Sequence, residues 1–183
     1  VIVEQYATAV AARKVVRTRT ASTDVEDSLI DAALALLESD GLAALTVRSV
    51  ATHAGVAPMG VYTRFGSKAG LLEALFIHGF EAFRSAIEVP NDSTPLSRLR
   101  KGCMQYRAFA IDNPQLYHLM FEHMTSLELS SEALSVARDT FTVLVDRVDV
   151  AMQTGALDRG DAVDIAQQLW STSPLIASRT SNR

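Results

Sequence analysis

Apolar side chains recur at intervals of three and four residues along most of the chain, and this periodicity restricts the fold more than any other feature. The clearest stripe comprises Leu134, Ala137, Phe141, Leu144, Val148 and Met152. No segment shows the sustained two-residue alternation that is typical of a half-buried strand. Abundant Ala and Leu, with only nine Gly and five Pro among 183 residues, also favour helix. The sequence therefore predicts an all-α protein.

Capping residues and glycines divide the chain into helices and turns. Thr23 and Glu26 have the spacing of a capping box, and Gly41 is expected to end the helix that they begin. The same signals predict further helices over 47–54, 58–65 and 68–87, others beginning at Thr94 and Asn113, a long helix that ends near Gly155, and a last helix beginning around Asp161.

Charge and turn residues indicate three parts of the chain. Residues 1–22 carry four basic groups and one acidic group, a net charge of four minus one, or +3, whereas the whole chain has −4. We expect a basic N-terminal arm over 1–22, a first helical domain over 23–87 and a second over 94–183. The loop between the two domains contains Asn91-Asp92-Ser93, whose residues are typical of a turn.

Several classes of protein are disfavoured by residue content. A single cysteine, Cys103, excludes an internal disulfide and a cysteine-based zinc site, and it favours a reducing cytoplasm. No apolar stretch approaches the roughly 18 residues that cross a bilayer.

Two motifs that could bind a ligand are incomplete. The pattern Gly55-x-x-x-x-Gly60 lacks the lysine of a phosphate-binding loop. His118 and Glu122 have the spacing of two metal ligands on a helix, but a surface histidine beside a carboxylate is the favoured interpretation. We expect no catalytic residue, cofactor or metal.

The segment 46–65 has the pattern of two short helices that meet at a steep angle at Gly55. The second helix is expected to present small or flexible side chains to base edges in a major groove. The flanking donors suit phosphate oxygens, and one of them begins the next helix, where the N-terminus already favours an anion. An ordinary helical hairpin explains the spacing equally well. The base-facing candidates are Ala57, Met59, Gly60 and Thr63, and the phosphate-facing candidates are Thr46, Arg48, Tyr62 and Lys68.

A longer run of residues resembles the DNA-binding domain of the TetR family of bacterial transcriptional regulators. The resemblance extends from Val25 to about Leu75. The matching residues are Ile30-Asp31-Ala32-Ala33, Gly41, Leu45-Thr46-Val47-Arg48, Val50-Ala51, Ala54-Gly55-Val56, Val61-Tyr62, Phe65-Gly66-Ser67-Lys68 and Leu71-Leu72. This resemblance implies an N-terminal three-helix unit with a helix-turn-helix, a double-stranded DNA operator as partner, and a C-terminal helical bundle that binds a small effector and forms a homodimer.

The second half of the chain is similar to one C-terminal subclass of that family, through the segment 113–121 and Leu169-Trp170. Its aromatic and Met residues either form an ordinary bundle core or line a cavity for an apolar or amphipathic effector. Family members usually carry a further helix beyond this point, and Ser173-Pro174 is expected to interrupt the last helix. We therefore expect either a very short final helix or a dimerisation surface that is partly missing or altered. The pocket candidates are Tyr106, Phe109, Ala110, Tyr117, Phe121 and Trp170.

Two functions follow from these patterns. The first is a ligand-responsive repressor that binds a palindromic operator as a dimer and is released by an effector. The second is an enzyme or small-molecule carrier built on a helical bundle. The helix-turn-helix and Lys68 favour the first, whereas a paired acid and base in a deep cleft would favour the second.

Overall fold

The computed structural model describes residues 22–90 and 94–178, and within these residues it contains eight α-helices and no strand. The all-α prediction is therefore confirmed. Two short 3₁₀ turns, at Leu42–Ala44 and Met124–Ser126, join neighbouring helices. The α-helices are α1 (Ser22–Asp40), α2 (Val47–His53), α3 (Pro58–Phe65), α4 (Lys68–Ala86), α5 (Pro95–Asp112), α6 (Pro114–Phe121), α7 (Ser131–Gln153) and α8 (Ala162–Ser178).

The three N-terminal helices pack around one apolar core. Leu29, Leu37, Val50 and Val61 contribute fully buried side chains from α1, α2 and α3. Gly55 joins α2 to α3 at φ 68°, a left-handed conformation in which a side chain would be strained. The predicted hairpin with its turn at glycine is therefore present. The basic arm predicted for 1–22 lies outside the described residues, except for Ser22, which begins α1.

Helix α4 connects this three-helix unit to the rest of the molecule. The Ser67 hydroxyl accepts a hydrogen bond from the backbone N–H of Gly70 and so caps the helix, as predicted. Nineteen residues give α4 a length of about 28 Å. Its buried face packs against α3 at one end and presents Phe76, Phe80 and Phe83 to the C-terminal helices at the other. One uninterrupted helix therefore spans both halves of the protein.

The last helix differs from the prediction. Ser173-Pro174 was expected to interrupt it, but α8 continues through both residues to Ser178. A proline inside a helix leaves the carbonyl four residues earlier without its usual backbone donor. That carbonyl belongs to Trp170, and the Tyr106 hydroxyl donates a hydrogen bond to it over 3.5 Å. A side chain of α5 therefore supplies a donor where the proline removes one.

Candidate nucleic-acid interface and ligand core

The N-terminus of α2 is fixed by a reciprocal pair of hydrogen bonds. The Thr46 hydroxyl accepts from the backbone N–H of Ser49 over 3.0 Å, and the Ser49 hydroxyl accepts from the backbone N–H of Thr46 over 3.0 Å. The Ser49 hydroxyl also donates to the Ala44 carbonyl over 2.7 Å. Thr46 is exposed, but it already serves as the helix cap. Any contact that it makes with phosphate is therefore additional to a structural role.

Helix α3 presents most of its predicted base-facing residues to solvent. Met59 is 70% exposed, an unusual exposure for a large apolar side chain, and Ala57 and Thr63 are also exposed. The Thr63 hydroxyl donates to the Met59 carbonyl over 2.8 Å, which leaves its lone pairs and its methyl group available. Gly60 is only half-exposed and lies next to Val56. Contact between these residues and DNA stays a prediction.

The phosphate-facing candidates surround this helix on an electrostatically favourable surface. Arg48 and Lys68 are exposed, and Tyr62 is 50% exposed. The sequence contains no acidic residue between Asp40 and Glu73, so no carboxylate within this stretch opposes the two cations. Lys68 is the first residue of α4, where free backbone N–H groups also attract anions. The stretch 41–72 is therefore suited to a polyanion.

A shallow groove beside α2 adds Thr52, which the sequence analysis did not consider, and His53, whose position at the end of its helix favours a helix cap or a phosphate contact over a catalytic role. Thr52 and His53 line it together with Arg48 and Thr46. Both are exposed polar side chains in the last turn of α2, so their helical position was the available signal. They extend the polar surface away from α3.

The six pocket candidates come together as one aromatic cluster. Phe83 of α4 lies at its centre, with ring centroids 5.0 Å from Tyr106, 5.1 Å from Phe109 and 5.8 Å from Trp170. The ring centroids of Tyr117 and Phe121 of α6 are 4.4 Å apart, and Ala110 of α5 is buried in the same apolar core. The six candidates come from α5, α6 and α8, and these three helices meet around Phe83 of α4, which was not among the candidates.

The cluster contains a buried pair of tyrosines. The hydroxyl oxygens of Tyr106 and Tyr117 are 2.6 Å apart, which is hydrogen-bonding distance. Burial raises the pKa of both phenols, most strongly that of Tyr106, because the charged form loses its hydration. Both groups are therefore neutral at physiological pH and act only as hydrogen-bonding groups.

The cluster is closely packed. A void of about 20 Å³, enough for one water molecule, touches Tyr106 and Trp170 but none of the other four candidates. A larger cleft of about 310 Å³ lies between α4, α5 and α7, lined in part by Arg98 and Arg147. The sequence analysis missed both arginines. The available signal was Arg147 itself, which stands three residues after Leu144 on the apolar face of its helix.

The two halves of the molecule are joined by side chains of α1 and α4. The Glu38 carboxylate accepts hydrogen bonds from the backbone N–H groups of Gln115 and Leu116, at 3.4 and 2.9 Å, and so caps α6. The Glu73 carboxylate accepts from the backbone N–H of Ser130 over 2.8 Å at the start of α7. Two carboxylates therefore add hydrogen bonds between α1 and α6 and between α4 and α7.

His118 and Glu122 form a surface contact within one helix turn. His118 Nδ1 lies 2.8 Å from Glu122 Oε2, and both side chains are largely exposed. In the part of the chain that the structure describes, no three His, Cys, Asp or Glu side chains are grouped so that they could hold a metal ion. Among the same residues, no helix has the length and apolar character to span a bilayer.

An exposed second helix in a helix-turn-helix, attached to a larger helical bundle, defines a DNA-binding regulatory protein. The model for bacterial regulatory proteins of the tetR family matches residues 29–75. The model for the tetracyclin repressor-like C-terminal domain matches residues 99–173. The chain belongs to the TetR family of transcriptional regulators.

Two relatives are similar to this chain in sequence. The chain is 29% identical to the nucleoid occlusion factor SlmA of Vibrio vulnificus over 130 residues, which cover 69% of this chain and 64% of SlmA. The match thus spans less than two thirds of that relative. It is 28% identical to the HTH-type transcriptional repressor KstR of Rhodococcus jostii over 166 residues, which cover 85% of this chain and 76% of KstR.

Two solved structures share the fold. A protein with unknown function from Rhodococcus sp. RHA1 has a TM-score of 0.80 at 24% identity and covers 92% of this chain and 87% of its own. The TetR family regulator PfmR from Thermus thermophilus has a TM-score of 0.65 at 18% identity, with coverages of 82% and 84%.

Proposed function

We propose that this protein is a ligand-responsive repressor that binds a palindromic operator as a homodimer and leaves it when a small effector binds. It acts in the bacterial cytoplasm and catalyses no reaction. The observation that carries this proposal is the exposed α3, which lies within a stretch, 41–72, that contains no acidic residue and is connected by α4 to a buried aromatic cluster. The similarity to KstR, which is described as a repressor, supports negative regulation.

In this proposal α3 enters the major groove. Met59, Thr63, Ala57 and Gly60 approach base edges, because small or flexible side chains allow close approach of the helix backbone. Thr46, Arg48, Tyr62 and Lys68 contact phosphates on either side and fix the orientation of the helix. A dimer presents two such helices, and its half-sites must lie about one DNA turn, roughly 34 Å, or a multiple of it apart.

The effector acts through the aromatic cluster. Because the cluster is closed, a ligand that enters it must displace side chains of α5, α6 or α8. Phe83 transmits this displacement to α4, and the cap at Glu38 transmits it from α6 to α1. A small tilt of α4 changes the separation of the two α3 helices, so the ligand-bound dimer no longer fits successive grooves. The effector must then bind the spread state more tightly by the coupling free energy, typically about 1–3 kcal/mol.

Selection from random duplex DNA tests the DNA-binding part of the proposal. We expect the enriched sites to be two-fold symmetric, with half-site centres about 10–10.5 base pairs or a multiple apart. A gel shift with the enriched duplex should show tight binding that weakens steeply with salt. Enrichment of asymmetric sites, or equal affinity for enriched and random duplexes, would contradict the proposal.

The effector part is tested with Trp170→Ala, which enlarges the cluster, and with Leu134→Ala as the control on the outer part of α7, where Leu134 is 40% exposed. We expect Trp170→Ala to change the effector concentration that releases DNA, while the control leaves it unchanged. Size-exclusion chromatography and circular dichroism check that both variants fold. An unchanged response in a folded Trp170→Ala protein would place the effector elsewhere.

A further inference from the structure

The cleft between the end of α4, the start of α5 and the middle of α7 is lined mainly by charged side chains. Its volume of about 310 Å³ is near the lower end of the roughly 300–1,000 Å³ of small-molecule sites. Apolar atoms of Val89, Pro95, Val143 and Val150 complete the walls. The charged residues are Arg84, Glu88, Arg98, Asp146 and Arg147, three cations and two anions.

Arg147 is an unusual residue for this position. Only 9% of it is exposed, and within the described residues its guanidinium makes no hydrogen bond and no ion pair. The Nε of Arg98 is also buried without an acceptor. Burial, followed by repulsion from Arg98, lowers the pKa of Arg147. Attraction to the Glu88 carboxylate acts in the opposite direction and offsets part of this effect. A largely buried charge without a hydrogen-bonded partner is costly, so these two guanidiniums can both gain from an anion in the cleft.

Helix α5 is shaped to admit the Arg147 guanidinium. Gly102 is buried in the interior of that helix, where alanine would be more stable by about 1 kcal/mol. A Cβ atom at position 102 would lie 2.6 Å from Arg147 Nη1. The absence of a side chain therefore creates the space in which the guanidinium lies.

Arg147 also lies at the boundary between the cleft and the aromatic cluster. It lines the void of about 20 Å³ together with Tyr106, Trp170 and Leu144. The Arg147 side chain therefore has the charged cleft on one side and the apolar side chains of the void on the other. Arg147 thus belongs to the walls of both cavities.

We propose that the effector is an amphiphile whose anionic head, a carboxylate or a phosphate, binds Arg98 and Arg147, while its apolar tail enters the aromatic cluster. This inference rests on the proposed effector response and names the chemical class of the effector. The head forms charge-assisted hydrogen bonds to both guanidiniums. Glu88 and Asp146 line the same cleft, and their negative charges repel an anionic head that is large enough to reach them. The tail requires displacement of Tyr106 and Trp170, which links occupancy of the site to the closed cluster.

Calorimetric titration of the full chain tests the site without DNA. The ligands are octanoate and octyl phosphate, which separate the two kinds of head, and 1-octanol, which has the same tail and no charge. We expect at least one of the two anions to bind, and 1-octanol to bind at least about tenfold more weakly. Arg98→Gln and Arg147→Gln should each weaken binding of the anion at least about tenfold, whereas Arg107→Gln, an exposed change on α5, should leave it unchanged.

Two further variants separate a binding role from a structural one. Arg147→Met should unfold at the same or a higher temperature, because an unpaired buried charge is removed, and yet bind the anion more weakly. Gly102→Ala should keep the fold, because the end of a flexible arginine can move, but should displace the guanidinium and weaken binding. Equal binding of 1-octanol and the anions, no binding of either anion, or unchanged affinity in folded Arg98→Gln and Arg147→Gln proteins would overturn the inference.

A gel shift with the selected duplex distinguishes this inference from the proposed function. If the anions bind through the two arginines but do not release DNA, the anion site stands and the proposed effector response fails. If another ligand releases DNA equally well from the wild type and both Gln variants, the effector response stands and the inference fails.

Discussion

The carboxylate of Glu38 accepts a hydrogen bond from the backbone N–H of Leu116, with 2.9 Å between oxygen and nitrogen. The two residues are 78 positions apart in sequence and belong to different halves of the molecule. Because Leu116 lies in the first turn of α6, the negative charge also interacts favourably with the helix dipole. Helix α6 carries Tyr117 and Phe121, so one carboxylate connects the helix-turn-helix unit to the aromatic cluster.

Glu38→Ala should destabilise the protein and weaken its response to effector. Loss of the cap should cost about 1 kcal/mol, which corresponds to a decrease in Tm of about 2–4 °C for a chain of this size. Operator affinity without effector should change little, because Glu38 is not part of α2 or α3. The control is Asp27→Ala, an exposed change on the same helix. Thermal unfolding measures the change in Tm, and gel shifts with and without effector measure the response. An unaltered response would show that Glu38 does not couple the aromatic cluster to the helix-turn-helix unit.

Lys68→Ala should weaken binding to operator and to random duplex by a similar factor. A lysine at a phosphate carries no sequence information, and its loss removes one released counterion, so the slope of log K against log[salt] should become shallower by about 0.9. Tyr62→Phe is the matched control, because it removes a hydrogen bond at phosphate without a charge. It should weaken both duplexes with an unchanged slope. The assignment of Lys68 to phosphate is wrong if its removal leaves affinity and slope as they are.

Thr63→Val should change the preferred base at one or two operator positions. The substitution keeps the shape of the side chain and removes the hydroxyl, whose proton is used by the Met59 carbonyl and whose lone pairs point away from the helix backbone. A lost base contact costs about 1–3 kcal/mol at that position. Repeating the selection from random duplexes with the variant checks this, and Met59→Ala should alter a neighbouring position. Identical selected sites for the wild type and both variants would show that Thr63 and Met59 do not contact the bases.

Stability should fall at alkaline pH because of the tyrosine pair. Burial raises the pKa of Tyr106 and Tyr117, so the folded chain keeps phenol protons that the unfolded chain releases above about pH 10. The unfolded state then binds fewer protons, and the free energy of unfolding decreases as pH rises through that range. Below about pH 10 these two groups should add no pH dependence.

The double variant Tyr106→Phe/Tyr117→Phe should show a shallower alkaline decrease in Tm than the wild type. Tyr62→Phe, a change at a half-exposed phenol, should leave the decrease unaltered. Thermal unfolding followed by circular dichroism at a series of pH values measures all three. If the double variant and the wild type lose stability in parallel, the pair does not control this behaviour.

Helix boundaries were predictable because their signals are local. Thr46, Ser67 and Thr94 each bond a backbone N–H within three residues, so the identity of the residue was sufficient. Pro174 was interpreted incorrectly because a proline removes only one backbone hydrogen bond, and the Trp170 carbonyl that it leaves free accepts from Tyr106, which is distant in sequence. A local rule cannot include a donor that arrives from another helix.

The predicted aromatic residues do meet, but the sequence could not show whether they enclose a cavity. Periodicity identifies which side chains of α5 and α6 face inward, whereas the volume left between them depends on how all the helices pack. At Arg147 the error was to overlook a charged residue on an apolar face. Its helix was described by its apolar stripe, and a single cation on that face was not considered, although its position beside Leu144 and Val148 was visible. The uncovered guanidinium required the packed structure.

Trp170 is the only tryptophan among the 183 residues, and its indole contacts Phe121 and Phe141 at 5.5 and 5.2 Å between ring centroids. Emission excited at wavelengths that tyrosine does not absorb therefore comes from one point, next to the void and Arg147. Entry of a ligand alters the surroundings of that indole. A change in this emission on addition of duplex DNA would instead measure how far the aromatic cluster responds to DNA binding at α3. In unlabelled protein, a single fluorophore can thus report ligand entry in one titration and communication between the two halves in another.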